Sequence, residues 1–339
     1  MVGGYVLTDV TNRSDVVRSA YSSPAVVWHM PRNKASACTI ENISKTQRNV
    51  HRDPAARLVN VYDYEAPICS HLFEAEKTHP RDAIYLSSQP AINEKVRMVL
   101  VDWLVDVCIK FKLHAETYFL AIDIVDRYLS VKRVCLSTFQ LVGITAILLA
   151  AKHEERYPPE LRECAYVCAD AYTISQFVEM ERDVAITLCF KLTVPTTYLF
   201  VCCFVDQKKY ERLVCDAVFF FLEAASHSYE MLRHLPSRVA AASFFLGRFL
   251  TSWAHSTSNR DINDWILWNG EIGLGSFGIS EEEVISVSDE LISFTRSLVS
   301  PTSKLKAVRR KYSSRRYSSV GLLEIPPNPS AYFAMKCND

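Results

Sequence analysis

The chain is expected to be all-α, with two helical domains in tandem. Three observations predict this. Apolar residues recur at three- and four-residue steps over long windows, no segment alternates convincingly with a period of two, and two central helices of small and apolar residues lie about a hundred positions apart. A length of 339 residues also exceeds the usual single domain.

Taken in order, residues 1–58 scatter Ser, Asn, Arg and Pro without a sustained period and read as a flexible, mildly basic tail. The character changes at Val59. Ile92, Val96, Val99, Leu100, Trp103, Val107 and Phe111 trace one face of an amphipathic helix. A second helix follows from about Thr117 to Leu129. Leu141 to Ala151 is apolar or small on every side, so that helix should be surrounded; Pro158 and Pro159 are expected to end it. A fourth helix is expected over Glu160 to Ala169. Thr173-x-x-Gln176 is a capping-box pattern that opens a fifth, reaching about Cys189. Pro195 to Thr197 marks the boundary to the second half. There SRVAAASFFLGRFL, Ser237 to Leu250, reads as another central helix, opened by Pro236.

Composition excludes several classes. Hydrophobic residues make up 49% and charged residues 22%, with zero formal net charge, so whole-molecule electrostatics favour neither nucleic acid nor an acidic substrate. The eleven cysteines contain no CxxC pair and lack the matched histidines of a zinc site. They read as buried thiols in a reducing compartment. The start, MVGGYVLTDVTNRSD, lacks the pattern of a signal peptide. Val134 to Ala151 carries no formal charge, but Ser137, Thr138, Gln140 and Thr145 interrupt it, so a buried core helix is expected rather than a membrane span.

Three motifs invite a chemical reading, and each has a plainer one. His153, Glu154 and Glu155 in AKHEERYPPE lack the second histidine of HExxH, and neighbouring side chains on a helix diverge too far to meet at one ion. GLGSFG, Gly273 to Gly278, fits GxGxxG, yet no strand precedes it, and the helix signal Ser280-x-x-Glu283 comes after the last glycine; a loop is expected. KLKAVRRKYSSRRYSS carries seven Lys or Arg between Lys304 and Arg316 and no acid. Phosphate contact or nuclear import would suit it, as would a solvated segment or one packed back through Leu305, Val308 and Tyr312; the last two readings are preferred. In VRMVLVDWL, Arg97 and Asp102 sit in an apolar context, with Asp126 and Arg127 on the next helix, so an Arg–Asp pair between helices is expected.

VRMVLVDWL resembles the segment that opens the cyclin box, and the likeness continues through ETYFLAIDIVDRYLS, QLVGITAILLAAKHEERYPPE and YTISQFVEMERDV. HLPSRVAAASFFLG and KAVRRKYSSRRYSSVGLLEIPP resemble the second half of A-type mitotic cyclins. The resemblance implies two tandem five-helix cyclin boxes, preceded by an N-terminal helix and the flexible tail. The implied boundaries are a tail over 1–58, helix and linker over 59–90, boxes over 91–193 and 194–300, and a basic C-terminal extension over 301–339.

It further implies a non-catalytic, cofactor-free regulatory subunit, in nucleus and cytoplasm, that binds and activates a cyclin-dependent protein kinase for cell-cycle progression at G2/M. Lys152 and Glu181 resemble the family's kinase-contacting pair. His153 stands where an aromatic is usual, and Arg156 where isoleucine is. Val96, Leu100, Trp103, Asp106 and Gln140 correspond to the patch that docks Arg-x-Leu substrates or inhibitors; the plainer reading of Leu100 and Trp103 is core. Arg97 with Asp126 resembles a structural ion pair. A membrane partner is not expected, nor is nucleic acid. The alternative is a cyclin-fold transcription factor of the transcription-factor-IIB type that binds DNA. The destruction motif RxxL expected of mitotic cyclins is missing, since no Arg in residues 1–58 is followed three places later by Leu.

Overall fold

The computed structural model describes residues 65–79, 82–205, 210–255 and 278–336. The tail over 1–58, with its RxxL reading, and residues 273–277 of GLGSFG lie outside the described residues. Among the described residues there are twelve α-helices and no strand. In chain order they are α1 (Glu65–Thr78), α2 (Glu94–Phe111), α3 (Ala115–Val131), α4 (Leu136–Glu154), α5 (Leu161–Val167), α6 (Ile174–Thr187), α7 (Thr197–Phe204), α8 (Arg212–His227), α9 (Pro236–His255), α10 (Glu281–Leu298), α11 (Ala307–Tyr312) and α12 (Pro329–Lys336).

Two compact units result. The first, Ile84–Phe190, contains α2 to α6. At its centre is α4, whose residues from Phe139 to Ala151 are all buried, so its apolar length is spent on packing. Local chemistry sets the helix limits. The Asn93 side chain accepts the amide of Val96 to open α2, and Lys112 closes it in the left-handed region at φ 57°. Thr173 and Gln176 cap each other at the start of α6.

One boundary differs from expectation. Helix α4 stops at Glu154, before Pro158 and Pro159 can act, because Glu155 turns to extended backbone (φ −99°, ψ 144°). Its carboxylate is then taken by the start of α3: Oε1 accepts from the His114 amide (2.7 Å) and from Thr117 Oγ1 (2.6 Å). The His114 side chain supplies no cap of its own, and Glu155 fills that role from another helix.

The second unit joins α1 to the chain from Lys191 onward. The N-terminal helix thus belongs to the later half, not to the box that follows it in sequence. Phe73 of α1 stacks edge-on against Phe200 of α7 at 5.0 Å between centroids. Buried Glu76 accepts from the Ser237 amide (3.1 Å) and hydroxyl (2.7 Å) at the start of α9, and so satisfies a helix terminus that would otherwise be unpaired. Helices α8 and α9 approach closely at Gly247, where an added β-carbon would lie 2.7 Å from the Val218 backbone nitrogen. Ser280 caps α10 through the Glu283 amide, two residues after Gly278 at φ 71°.

The basic run does not trail away. Val308 and Tyr312 of α11 are buried, Leu305 is half-buried, and Lys311 pairs with buried Glu223 of α8. The cysteines divide more than the sequence suggests. Cys108, Cys164 and Cys168 are buried thiols, but Cys135, Cys189 and Cys202 are exposed. Burial pushes the Cys164 thiol up to about 12, which leaves it protonated and inert.

Candidate functional site: two surfaces on the first helical unit

Lys152 lies in the last turn of α4, and Glu181 lies on α6, 29 residues later. The fold brings them together: Lys152 Nζ donates to Glu181 Oε1. Their side chains are 47% and 20% exposed, so the pair is presented at the surface rather than consumed by the core. A pair this exposed contributes at most about 1 kcal/mol to folding.

Beside it runs a shallow apolar groove of about 450 Å³, lined by Leu148, Pro159, Leu161 and Ile174 with Lys152 at its edge. Ile174 and Val178 on α6 are 43% and 44% exposed, and Phe190, held at φ 57° just beyond the helix, is 71% exposed. These large apolar groups were not singled out from sequence. The available signal was the set of apolar residues on α6, of which Phe177, Val184 and Ala185 are buried while Ile174, Val178 and Ile186 are exposed.

The apparent cluster in AKHEERYPPE separates by direction. His153 is one-third exposed and its Nε2 lies 3.7 Å from the adjacent Glu154 carboxylate. Glu154 faces Glu116, Glu155 caps α3, and the Arg156 guanidinium lies over the exposed Tyr157 ring. Among the described residues no three His, Cys, Asp or Glu side chains converge on a point that could hold a metal ion.

Burial first, and Glu154 second, raise the Glu116 carboxyl above its ordinary range, against the opposing pull of His114. A carboxyl whose pKa rises on folding costs stability once the pH exceeds its folded value. That cost disappears below the unfolded value, near about 4.3. Glu116→Gln is therefore expected to raise the melting temperature at pH 7 and to leave it unchanged near pH 4. An equal gain at both pH values would mean that ionisation is not what the site resists.

The second surface lies on α2. Val96 and Asp106 are half-buried, Trp103 is 3% exposed and Gln140 of α4 is 6% exposed. Leu100 needs correction as a surface residue. It is fully buried in a notch of α4, where a β-carbon on Gly143 would come 2.6 Å from its Cδ1. On a helix the step of four from Val96 leads toward the core, and the step of three leads along the rim. The partly exposed stripe of α2 is Val96, Val99 and Asp106, beside the buried Trp103.

Beneath this stripe Arg97 is 1% exposed. Its Nε donates to Asp126 Oδ1 and its Nη2 to Asp126 Oδ2, both at 2.7 Å, while the Tyr85 hydroxyl donates to Oδ1 at 2.7 Å. Burial by itself would lower the guanidinium's pKa; the Asp126 carboxylate outweighs it and holds Arg97 above its ordinary value. Burial, then Asp126, raises the Tyr85 hydroxyl. Arg127 pairs within its own helix, with Asp123 at 3.3 Å.

Comparison with known proteins agrees with this architecture. Residues 67–193 match the family described as Cyclin, N-terminal domain, and residues 195–326 match Cyclin, C-terminal domain. The chain is 37% identical over 251 residues to the G2/mitotic-specific cyclin S13-7 of Glycine max, covering 74% of this chain and 91% of that protein. It is 35% identical over 299 residues to cyclin-A1 of Rattus norvegicus, covering 87% of this chain and 66% of that one. It is 34% identical over 292 residues to cyclin-B1-2 of Arabidopsis thaliana, covering 86% and 62%. Among solved structures, a viral cyclin from herpesvirus saimiri shares the fold at TM-score 0.54 and 18% identity, over 67% of this chain and 97% of that one. With two matched family domains and mitotic A- and B-type relatives over most of its length, the chain belongs to the cyclin family.

Proposed function

We propose that this cyclin is a regulatory subunit that binds and activates a cyclin-dependent protein kinase in cell-cycle control, and that it performs no chemistry itself. The observation that carries the reading is the presented Lys152–Glu181 pair at the edge of an apolar groove. A kinase is switched on when its C-helix and activation loop are held in the arrangement for phosphoryl transfer. A rigid helical body that binds only this arrangement shifts the population toward it. Apolar groups beside a charged pair suit such a surface, because the first supply buried area and the second fix register.

His153 and Arg156 replace apolar contacts with polar ones, so partner choice rests more on Ile174, Val178 and Phe190. The DNA-binding alternative is not favoured, since the relatives are mitotic cyclins and part of the basic run is folded against α8 through Lys311 and Tyr312. The test is co-purification with the cell-cycle kinases of the source cell, followed by assay of the recovered kinase. Stimulated phosphorylation of a protein substrate supports the reading; recovery of no kinase overturns it.

Substrate docking belongs to the stripe on α2. Val96, Val99 and the edge of Trp103 would accept the leucine of an Arg-x-Leu segment, and Asp106 its arginine. Val99→Asp, which changes a half-exposed position, is expected to weaken binding of an Arg-x-Leu peptide at least tenfold, about 1.4 kcal/mol, with kinase binding unchanged. Isothermal titration with the peptide, and separately with the kinase, reads the two affinities. Unaltered peptide affinity would remove the stripe from consideration.

A further inference from the structure

The basic run contains an imperfect repeat, Arg309-Arg310-Lys311-Tyr312-Ser313-Ser314 followed by Arg315-Arg316-Tyr317-Ser318-Ser319. Both copies place basic residues two and three positions before a serine, so the sequence alone cannot distinguish them. The structure does. The first copy is folded inward. Tyr312 is 2% exposed, its ring lies against Phe220 and its hydroxyl donates to Glu223, while Lys311 is neutralised by the same carboxylate. Ser313 Oγ is occupied by the Arg309 carbonyl at 2.6 Å.

In the second copy Arg315 and Arg316 are exposed, while Tyr317, Ser318 and Ser319 are half-buried. Ser318 Oγ donates to Asp216 Oδ2 of α8 at 2.5 Å. Arg212, one turn earlier on α8, lies 3.4 Å from the Asp216 carboxylate and donates to the Arg316 carbonyl. These bonds tie the strap of residues 313–322 to α8. The strap is held in a costly conformation, since Ser318 and Ser319 both sit in the left-handed region, at φ 53° and 54°. A segment made of two short 3₁₀ turns and two such residues opens more easily than the helices beneath it.

We propose that Ser318 is a phosphoacceptor for a serine kinase that selects arginines two and three residues upstream, and that its phosphorylation releases the strap from α8. The Ser318 oxygen forms a bond to the γ-phosphorus of a nucleoside triphosphate. The bond from that phosphorus to the β-phosphate oxygen breaks, nucleoside diphosphate leaves, and the hydroxyl proton passes to solvent. The donor that Asp216 relied on is lost, and a group carrying about two negative charges takes its place. Burial already holds the Asp216 carboxyl above its ordinary range, despite Ser318 and Arg212 pulling it down, so a second anion there is poorly tolerated. Arg212 is then shared between two anions, and its bond to the Arg316 carbonyl is weakened. The modified strap is trapped in the open state.

The test uses the purified full chain with the catalytic subunit of cAMP-dependent protein kinase and magnesium ATP. Intact mass and peptide mapping should show one phosphate, at Ser318, absent from Ser318→Ala. Hydrogen exchange of residues 313–322 should then accelerate about tenfold, beyond the smaller change in unmodified Ser318→Ala. In phosphorylated Asp216→Asn most of the protection should return. Phosphate on Ser313, Ser314 or Ser319 instead, no incorporation, or unchanged or slower exchange after modification would each overturn the proposal.

Discussion

Replacing Arg97 with methionine is expected to lower the stability of the first helical unit by about 3–5 kcal/mol. The magnitude follows from what is left behind. The two guanidinium bonds to Asp126 are lost, and a carboxylate whose side chain is 6% exposed keeps only the Tyr85 hydroxyl and its own desolvation cost. Methionine fills much of the volume, so the change reports the orphaned charge rather than a cavity. Urea unfolding followed by circular dichroism measures it. The double replacement Arg97→Met, Asp126→Leu should recover a large part of the loss, because a buried pair exchanged for apolar groups is close to neutral. A single variant within about 1 kcal/mol of the parent would show that water reaches Asp126.

Alanine at Lys152 or at Glu181 is expected to weaken kinase binding by about 2 kcal/mol or more, roughly 30-fold in Kd, with little change in melting temperature. The two readouts separate because the pair is exposed in the free chain: it holds little folding energy, yet it becomes desolvated beneath a partner. Measured against a purified cyclin-dependent kinase, the double variant should lose less than the sum of the two, since the residues act as one unit. Affinity equal to the parent in both single variants would place the kinase elsewhere on the unit.

Much of the fold was legible in the sequence because helix periodicity and capping are local. The three- and four-residue steps of α2, the all-round apolar surface of α4 and the reciprocal cap of Thr173 and Gln176 each record an environment within a few turns of chain. Arg97 and Asp126 could be paired in principle for the same reason: a buried charge demands a partner, and few were at hand.

What the sequence by itself determined is the all-helical class, the order of the helices and the residues that had to be covered. What only the tertiary structure decided is which of two adjacent residues faces outward and which distant groups meet. Val99 and Leu100 differ by one position on α2, and the notch at Gly143 of α4 makes Leu100 core and leaves Val99 at the rim. Glu155 looked like part of a cluster, but it caps a helix 38 residues away through Thr117. Helix α1 precedes the first unit in sequence yet satisfies the start of α9 through Glu76. The two copies of the arginine–serine repeat are nearly identical in sequence, yet α8 holds them differently, the first by Lys311 and Tyr312 on Glu223 and the second by Ser318 on Asp216. Periodicity fixes a residue's angle about its own helix; its partner depends on where the other helices lie, which no short window of sequence records.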